Sequence, residues 1–404
     1  MLGPMSLGVY LHLPFCLSRC RYCAFYSGEP PSRSGELVEF LVIEMGLRVK
    51  EGTGPVQTVY LGGGTPSLLT PEQVRHLLRA VDRTWGLDRA GEVTLEVNPA
   101  DRLPLESFRN AGATRVSVGV QSLDDAVLEE LGRRHTAAQA RKTLAAAVAA
   151  GFASVNADLL LGLPDTTPGE LALWVEELVD LGAGHLSLYS LELHPGTELS
   201  AAAAQGRFRP SAEALEEAQF RAVVRAAEAC GLQGYEVSNF ALPGHVCRHN
   251  SATWRGEAYL GLGPGAHSFL PGAGPWGTRR WNEPGLDPYL TALGRGKPPP
   301  GGGEELTREQ ALLERLFLSL RCRAAFAPRE LATRFGLDPA GTVAAFQALV
   351  PKGLFEVLPG GRLRPTWEAL RRADGLALGL HERLLGAGPG GASAAGAGAA
   401  PGAA

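Results

Sequence analysis

The sequence lacks the features that mark secreted, membrane-spanning and nucleic-acid-binding proteins. Its 404 residues contain no apolar run that approaches the roughly 20 residues of a transmembrane helix. The start, MLGPMSLGVYLHLP, has neither the basic beginning nor the long apolar core of a signal peptide. The formal net charge is −4, so no general electrostatic field attracts nucleic acid. We therefore expect a cytoplasmic protein with no transmembrane segment and no nucleic-acid partner.

Cysteine is scarce, with six residues in the whole chain. No second Cys-x2-Cys knuckle is present to complete a four-ligand zinc site, and there is no framework of the kind that disulfide-rich secreted domains use. This usage is typical of a reducing compartment. Half of the cysteines are scattered along the sequence, as Cys230, Cys247 and Cys322.

The other three cysteines share one short loop. Cys16, Cys20 and Cys23 have the spacing Cys-x3-Cys-x2-Cys and follow directly on the alternating apolar run at 8–14. Three soft thiolates on a loop that leaves a strand form a ligand set for an iron–sulfur cluster. A four-iron cluster held by three cysteines leaves one iron open to a small molecule. The alternative is a zinc site, which usually takes a fourth ligand.

Strand-like and helix-like segments alternate as far as about residue 240. This pattern predicts a parallel sheet in a partial (β/α)6 barrel of the TIM type over residues 1–240, with its functional residues at the carboxyl ends of the strands. The strand-like runs are 8–14, 56–62, 91–97, 114–120, 154–162 and 184–193. The helix-like runs are 35–50, 71–84, 104–111, 124–131, 136–150, 168–181 and 211–230.

The remainder of the chain divides into three further segments. Residues 241–300 are rich in glycine and aromatic residues and are expected to pack on the barrel. The stretch 297–306 is typical of a linker. Residues 301–385 predict three helices, a hairpin and a final helix, an order that resembles a winged helix and favours docking over DNA binding. Residues 386–404 have the low-complexity composition of a disordered tail.

Two segments resemble motifs of the radical S-adenosylmethionine (SAM) superfamily. The first is YLHLPFCLSRCRYCAFYS, which carries the three cysteines. The second is Gly-Gly-Gly-Thr-Pro at 62–66, which on its own is typical of any tight turn. In that superfamily the open iron of a 4Fe-4S cluster chelates the amino and carboxylate groups of SAM. The resemblance therefore implies both cofactors.

The resemblance also implies SAM contacts at successive strand ends. Each of these residues alone could instead line the barrel, cap a helix or form an ion pair. Arg134 is the alternative to Arg133 because a slip by one residue is possible, and His12 is placed near the open iron. The implied SAM contacts are Tyr10, Gly63, Gly64, Thr65, Glu96, Gln121, Arg133 and Asp158.

Taken together, these motifs resemble the oxygen-independent coproporphyrinogen III oxidase family over about residues 8–385. Decarboxylating members carry a fourth cysteine two residues after the third, and an N-terminal extension that helps to bind substrate. Phe25 occupies the cysteine position here, and the first strand is predicted to begin near residue 8. Both departures argue against decarboxylation. The pattern identifies no catalytic residue, and the decarboxylase and a radical SAM methyltransferase are kept as alternatives.

The heme-chaperone branch of the same family carries a motif HNxxYW that is linked to heme. His249, Asn250 and Trp254 match this motif, and Thr253 replaces its tyrosine. The resemblance implies heme as cargo, with respiratory or other hemoproteins as the acceptors. Because imidazole is a common heme ligand, His249 is the first candidate for contact with iron. The alternative is that the motif folds its loop over the mouth of the barrel.

Overall fold

The barrel is built on six parallel strands that pair in the order of the sequence. The structure is a computed structural model and describes residues 7–52, 54–99 and 103–386. Most of the predicted tail at 386–404 therefore lies outside the described residues. The strands are β1 (Leu7–Leu13), β2 (Val56–Gly63), β3 (Leu87–Val97), β4 (Arg115–Gln121), β5 (Ser154–Leu161) and β6 (His185–Ser190).

Helices connect these strands, and their starts follow local sequence signals. Thr70, Thr136 and Thr167 each accept a hydrogen bond from the third residue of the helix that follows, in a capping box. The helix at Glu198–Ala204 was not predicted. The helices are α1 (Ser34–Leu47), α2 (Pro71–Trp85), α3 (Leu105–Ala111), α4 (Asp125–Glu130), α5 (Ala137–Ala149), α6 (Pro168–Asp180), α7 (Glu198–Ala204) and α8 (Glu213–Ala229).

The sheet is open and extends beyond the barrel strands at both edges. One edge carries β7 (Gln233–Gly234) and β8 (Asn239–Ala241), and β8 runs antiparallel to β6. The other edge begins with β9 (Ala258–Leu262), which lies parallel to β1. It continues antiparallel through β10 (His267–Leu270), β11 (Thr278–Asn282) and β12 (Gly301–Glu305).

The linker prediction for 297–306 is wrong, because this stretch contains β12. Its register places Gly302 opposite Trp281 of β11. A Cβ at position 302 would lie 2.4 Å from the Trp281 ring, so the glycine permits this close pairing. The segment before it also holds two helices, α9 (Arg248–Arg255) and α10 (Leu286–Gly294).

Strand β1 is buried along its whole length, as expected for a parallel strand covered on both faces. The apolar core beneath the helices runs continuously along the barrel. The carboxyl ends of β1–β6 therefore form a fixed rim on which polar side chains can be held. No helix in the described ranges is both long and apolar enough to cross a bilayer.

The C-terminal region has the predicted order of three helices, a hairpin and further helix. Its own core includes Leu312, Leu316, Phe335, Phe346 and Phe355. The region packs on the barrel edge, where the Trp367 ring stacks on Phe240. The elements are α11 (Arg308–Leu320), α12 (Pro328–Phe335), α13 (Pro339–Gln347), β13 (Phe355–Leu358), β14 (Arg362–Pro365), α14 (Trp367–Arg371) and α15 (Ala373–Leu385).

Candidate functional site

The cysteine loop leaves the carboxyl end of β1 and is fastened to the strand ends by backbone hydrogen bonds. The amides of Gly28 and Glu29 donate to the Pro14 carbonyl at 2.9 and 3.0 Å. The amide of Thr65 donates to the Phe15 carbonyl at 2.7 Å. The loop is therefore held between β1 and the glycine-rich turn after β2, where the sequence motifs place it.

The three loop thiols are free and half-buried. Burial raises the pKa of Cys16, and the nearby thiols of Cys23 and Cys20 raise it further. The Cys20 sulfur lies 3.2 Å from a guanidinium nitrogen of Arg133. Among the described residues, no three His, Cys, Asp or Glu side chains are positioned to hold a single metal ion. Three neighbouring soft donors beside a cation fit an anionic iron–sulfur cluster.

The glycines at 62–64 let neighbouring side chains and backbone pack directly against the turn. A Cβ at Gly62 would lie 3.0 Å from the Tyr10 and Tyr60 rings. Gly63 has φ +110°, and a Cβ there would lie 2.6 Å from the His12 ring. The Gly64 amide already donates to the Leu13 carbonyl at 2.9 Å. The turn is therefore more than a chain reversal, because it packs strand ends against the cysteine loop.

His12 connects β1 to the end of the cysteine loop. Its Nε2 lies 2.8 Å from the Tyr26 carbonyl, and its Nδ1 lies 3.0 Å from the Tyr10 hydroxyl. Burial lowers the pKa of His12 to about 4. A neutral ring then donates from Nε2 and accepts at Nδ1. Both nitrogens are occupied, so His12 positions the loop.

Two half-buried carboxylates lie near the end of β3 and within β5. Glu96 accepts a hydrogen bond from the Tyr60 hydroxyl at 2.9 Å. Burial raises the pKa of Glu96 to about 7, and the negative charge of Asp158 acts in the same direction. Burial also raises the pKa of Asp158, which accepts from Asn156 Nδ2 at 2.6 Å. Two neighbouring acids with raised pKa values are disfavoured as anions, and a bound cationic ligand would stabilise their charged form.

Gln121 and Arg133 meet on the neighbouring strand end. Gln121 is the one non-glycine residue with positive φ, 66°, in the described part of the chain. Such strain often marks a functional position. A Cβ at Gly119 would lie 3.1 Å from Gln121 Nε2 and 3.2 Å from a guanidinium nitrogen of Arg133. Arg134 is exposed, so Arg133 is the arginine that faces the cysteines.

Sequence reasoning missed the polar layer that supports Asp158. The Ser117 hydroxyl lies 3.3 Å from both Asp158 oxygens, and Asn156 Nδ2 donates to Ser117 at 2.6 Å and to Ser187 at 3.0 Å. His185 Nδ1 lies 2.5 Å from the side-chain oxygen Oδ1 of Asn156. One signal was available, because Asn156 precedes Asp158 by two residues and therefore shares its face of β5.

The His249 motif lies at the other end of the barrel from the cysteine loop. The strand register pairs Gly8 with Thr58 and Thr58 with Glu92, towards the amino ends of the strands. His249 is 5% exposed, and its Nδ1 lies 2.8 Å from the Thr58 hydroxyl. The Glu92 carboxylate accepts from the His249 amide at 3.0 Å. The motif therefore anchors α9 beneath the barrel, and it does not cover the mouth.

We expect His249→Ala to destabilise the fold and to leave the cluster intact. The change opens a cavity and leaves the buried Thr58 hydroxyl without its partner, which together cost about 1–3 kcal/mol. Thermal unfolding followed by circular dichroism checks the loss, and iron content checks the cluster. Thr58→Val is the matched control and should lose less. Unchanged stability together with an altered heme spectrum in His249→Ala would contradict this structural role.

Comparisons with known proteins decide the family. A family model described as the radical SAM superfamily matches residues 10–178, and one described as the HemN C-terminal domain matches residues 306–372. The heme chaperone HemW of Mycobacterium tuberculosis is 36% identical over 332 residues, covering 80% of this chain and 84% of that protein. This chain is a radical SAM protein of the HemW branch. The HemW protein of Bacillus subtilis is 32% identical over 351 residues, covering 85% and 91%.

A solved structure of a radical SAM enzyme shows the same fold. The coproporphyrinogen III oxidase HemN of Escherichia coli superposes with a TM-score of 0.76 at 21% identity, covering 93% of this chain and 90% of that chain. The radical SAM assignment confirms the predicted fold class. It also implies a 4Fe-4S cluster and SAM, which are the cofactors of this superfamily. The donor set of the cysteine loop and the acidic rim beside it fit both groups.

Proposed function

We propose that Cys16, Cys20 and Cys23 hold the 4Fe-4S cluster. This proposal is supported by two observations: all three thiols are free and half-buried on one loop, and the Arg133 guanidinium lies beside Cys20. That cation offsets the negative charge that three thiolates introduce. When bound, the cluster and SAM together supply one-electron chemistry. The protein orients the ligands and excludes solvent from them.

The residues around the loop are proposed to hold SAM. Glu96 takes the amino group and Asp158 the ribose hydroxyls, because both are partly exposed acids at the rim whose pKa values are raised by burial. Arg133 takes the SAM carboxylate, since its Nε has no hydrogen-bond partner among the described residues. Gln121 and Tyr10 line the same rim. Gly63, Gly64 and Thr65 shape the turn against which the ligand rests.

We propose that the protein binds heme and passes it to acceptor hemoproteins, in the reducing cytoplasm. The observation that carries this proposal is the 32–36% identity to HemW heme chaperones over most of the chain. A second feature supports it. Phe25 stands on the cysteine loop where the decarboxylase has a further cysteine, and its side chain is 54% exposed.

The purified protein should bind about one heme per chain and should not convert coproporphyrinogen to protoporphyrinogen. Heme titration by absorbance and a turnover assay on the same anaerobically reconstituted sample measure both properties. A HemN-type decarboxylase run in parallel controls for the assay conditions. Robust protoporphyrinogen formation would overturn the chaperone proposal in favour of the oxidase. If the protein shows neither heme binding nor turnover, the next step is a search for methylated products.

A further inference from the structure

A groove of about 740 Å³ lies between the barrel edge and the C-terminal domain, at the end of the molecule away from the cysteine loop. Cofactor sites usually fall between about 300 and 1,000 Å³ and often form where two domains meet. The groove is built by the end of α8 and the residues after it, the edge strands β7 and β8, helix α9, and the segments around residues 322–324 and 364.

One wall of the groove is formed by the His249 motif segment and carries both apolar and polar side chains. Ser251, Trp254 and Arg255 all line the groove, because positions three and four apart share a face of α9. Leu242 and Val246 continue this wall. The opposite side of the same helix carries His249 into the barrel. Trp254 is therefore the motif residue that faces open space.

The end of this wall is fixed to the C-terminal domain. Arg315 of α11 donates to the carbonyls of Trp254 and Arg255 at 3.0 and 2.8 Å. These bonds satisfy the last carbonyls of α9, which have no partner inside the helix. The groove is consequently a preformed feature of the packed domains.

Arginines from both walls line the groove, together with the acid Glu228. These arginines are Arg255, Arg323 and Arg364. Arg323 and Arg364 share a single carboxylate, that of Glu356, at 3.3 and 3.2 Å. Arg255 pairs with Glu257. Guanidinium groups bind carboxylates in a bidentate manner, so these arginines suit a ligand with two acidic groups.

A thiol lies in the same groove. Cys322 lines it, next to the backbone of Glu236. Burial raises the pKa of Cys322 to about 12, and the charge of Glu236 acts in the same direction. The free protein therefore holds a neutral thiol at this position. A cysteine thiolate is an established type of heme-iron ligand, and coordination to a metal removes the thiol proton.

We propose that this groove is the heme site, with the macrocycle against Trp254 and its apolar neighbours, the two propionates on the arginines, and the iron facing the Cys322 sulfur. An iron–sulfur bond forms, and the thiol proton leaves to solvent. This inference rests on the heme-binding function proposed above and identifies where the cargo lies. It replaces His249 by Cys322 as the iron ligand, and it separates the cargo from the cluster.

The test compares heme affinity and spectrum in the full-length, cluster-containing protein. We expect the double variant Arg255→Gln/Arg364→Gln to bind heme about tenfold or more weakly, because each change removes a charge-assisted hydrogen bond. Arg329→Gln, an exposed arginine outside the groove, is the matched control and should bind as the wild type does. Cys322→Ser should shift the Soret band, whereas Cys230→Ser should not.

The outcomes separate the two proposals. If the wild type binds heme and all groove variants match it in affinity and spectrum, the groove assignment is wrong while heme binding stands. If the wild type binds no heme, both proposals are wrong. Far-ultraviolet circular dichroism and iron content should be unchanged in every variant. If Cys322→Ser misfolds, the two arginine changes, which lie at the partly exposed side, still decide the question.

Discussion

Replacing any one of Cys16, Cys20 or Cys23 by alanine is expected to abolish the iron–sulfur cluster. The wild type should contain about four irons and four sulfides per chain after anaerobic reconstitution, as a four-iron cluster with one open site requires. Two remaining thiolates leave a second iron without a protein ligand, and no other cysteine lies on the loop to replace the missing one. Iron and sulfide analysis measures the loss.

The scattered cysteines provide the controls for this experiment. Cys230→Ala and Cys322→Ala should retain full iron and sulfide content, because neither residue lies on the cysteine loop. A full cluster in Cys20→Ala would contradict the ligand assignment. Loss of the cluster in Cys230→Ala would show that the assay reports on folding rather than on ligation.

Glu96→Gln and Asp158→Asn should each weaken SAM binding about tenfold or more while the cluster remains. Each change removes the negative charge that strengthens a hydrogen bond to SAM, and a hydrogen bond to a charged group is worth roughly 1.5–3 kcal/mol. Both substitutions keep the size of the side chain, so packing is preserved. Equilibrium SAM binding to the reconstituted protein measures the effect. Glu106→Gln, an exposed acid on α3, is the control. Unchanged affinity in both site variants would refute these assignments.

The pH dependence of SAM binding provides a second test of the role proposed for Glu96. The pKa of this half-buried acid is raised to about 7, and the positively charged ligand favours its ionised form. Below about pH 7, binding must release a proton from Glu96, so SAM affinity should fall as the pH falls. Above it the affinity should level off. This dependence should largely disappear in Glu96→Gln.

The sequence predicted the βα part of the fold well because each element carries its own signal. Strand β2 was expected at 56–62 and spans Val56–Gly63, and α2 was expected at 71–84 and spans Pro71–Trp85. Strand β12 escaped detection because Gly301–Glu305 has no apolar alternation. Its pairing is made by backbone groups against β11, and such pairing leaves little trace in side-chain pattern.

The candidate site was predictable where strand ends determine position, and unpredictable where packing does. Cys16 follows β1, Glu96 lies near the end of β3 and Asp158 lies within β5 of one parallel sheet, so the topology brings them together. The direction of α9 does not follow from its sequence. His249 points into the barrel because Glu92 and Thr58 hold it there. The groove at Cys322 joins segments far apart in the chain, which no local pattern reveals.

The central claim is that one chain holds a cluster with SAM at one end of the barrel and binds heme elsewhere. The most direct measurement is electron paramagnetic resonance of the reduced, reconstituted protein with and without SAM, repeated after titration with heme. We predict about one heme per chain and a cluster signal that still changes on addition of SAM. Failure to bind heme, or loss of the SAM response when heme is bound, would contradict the account.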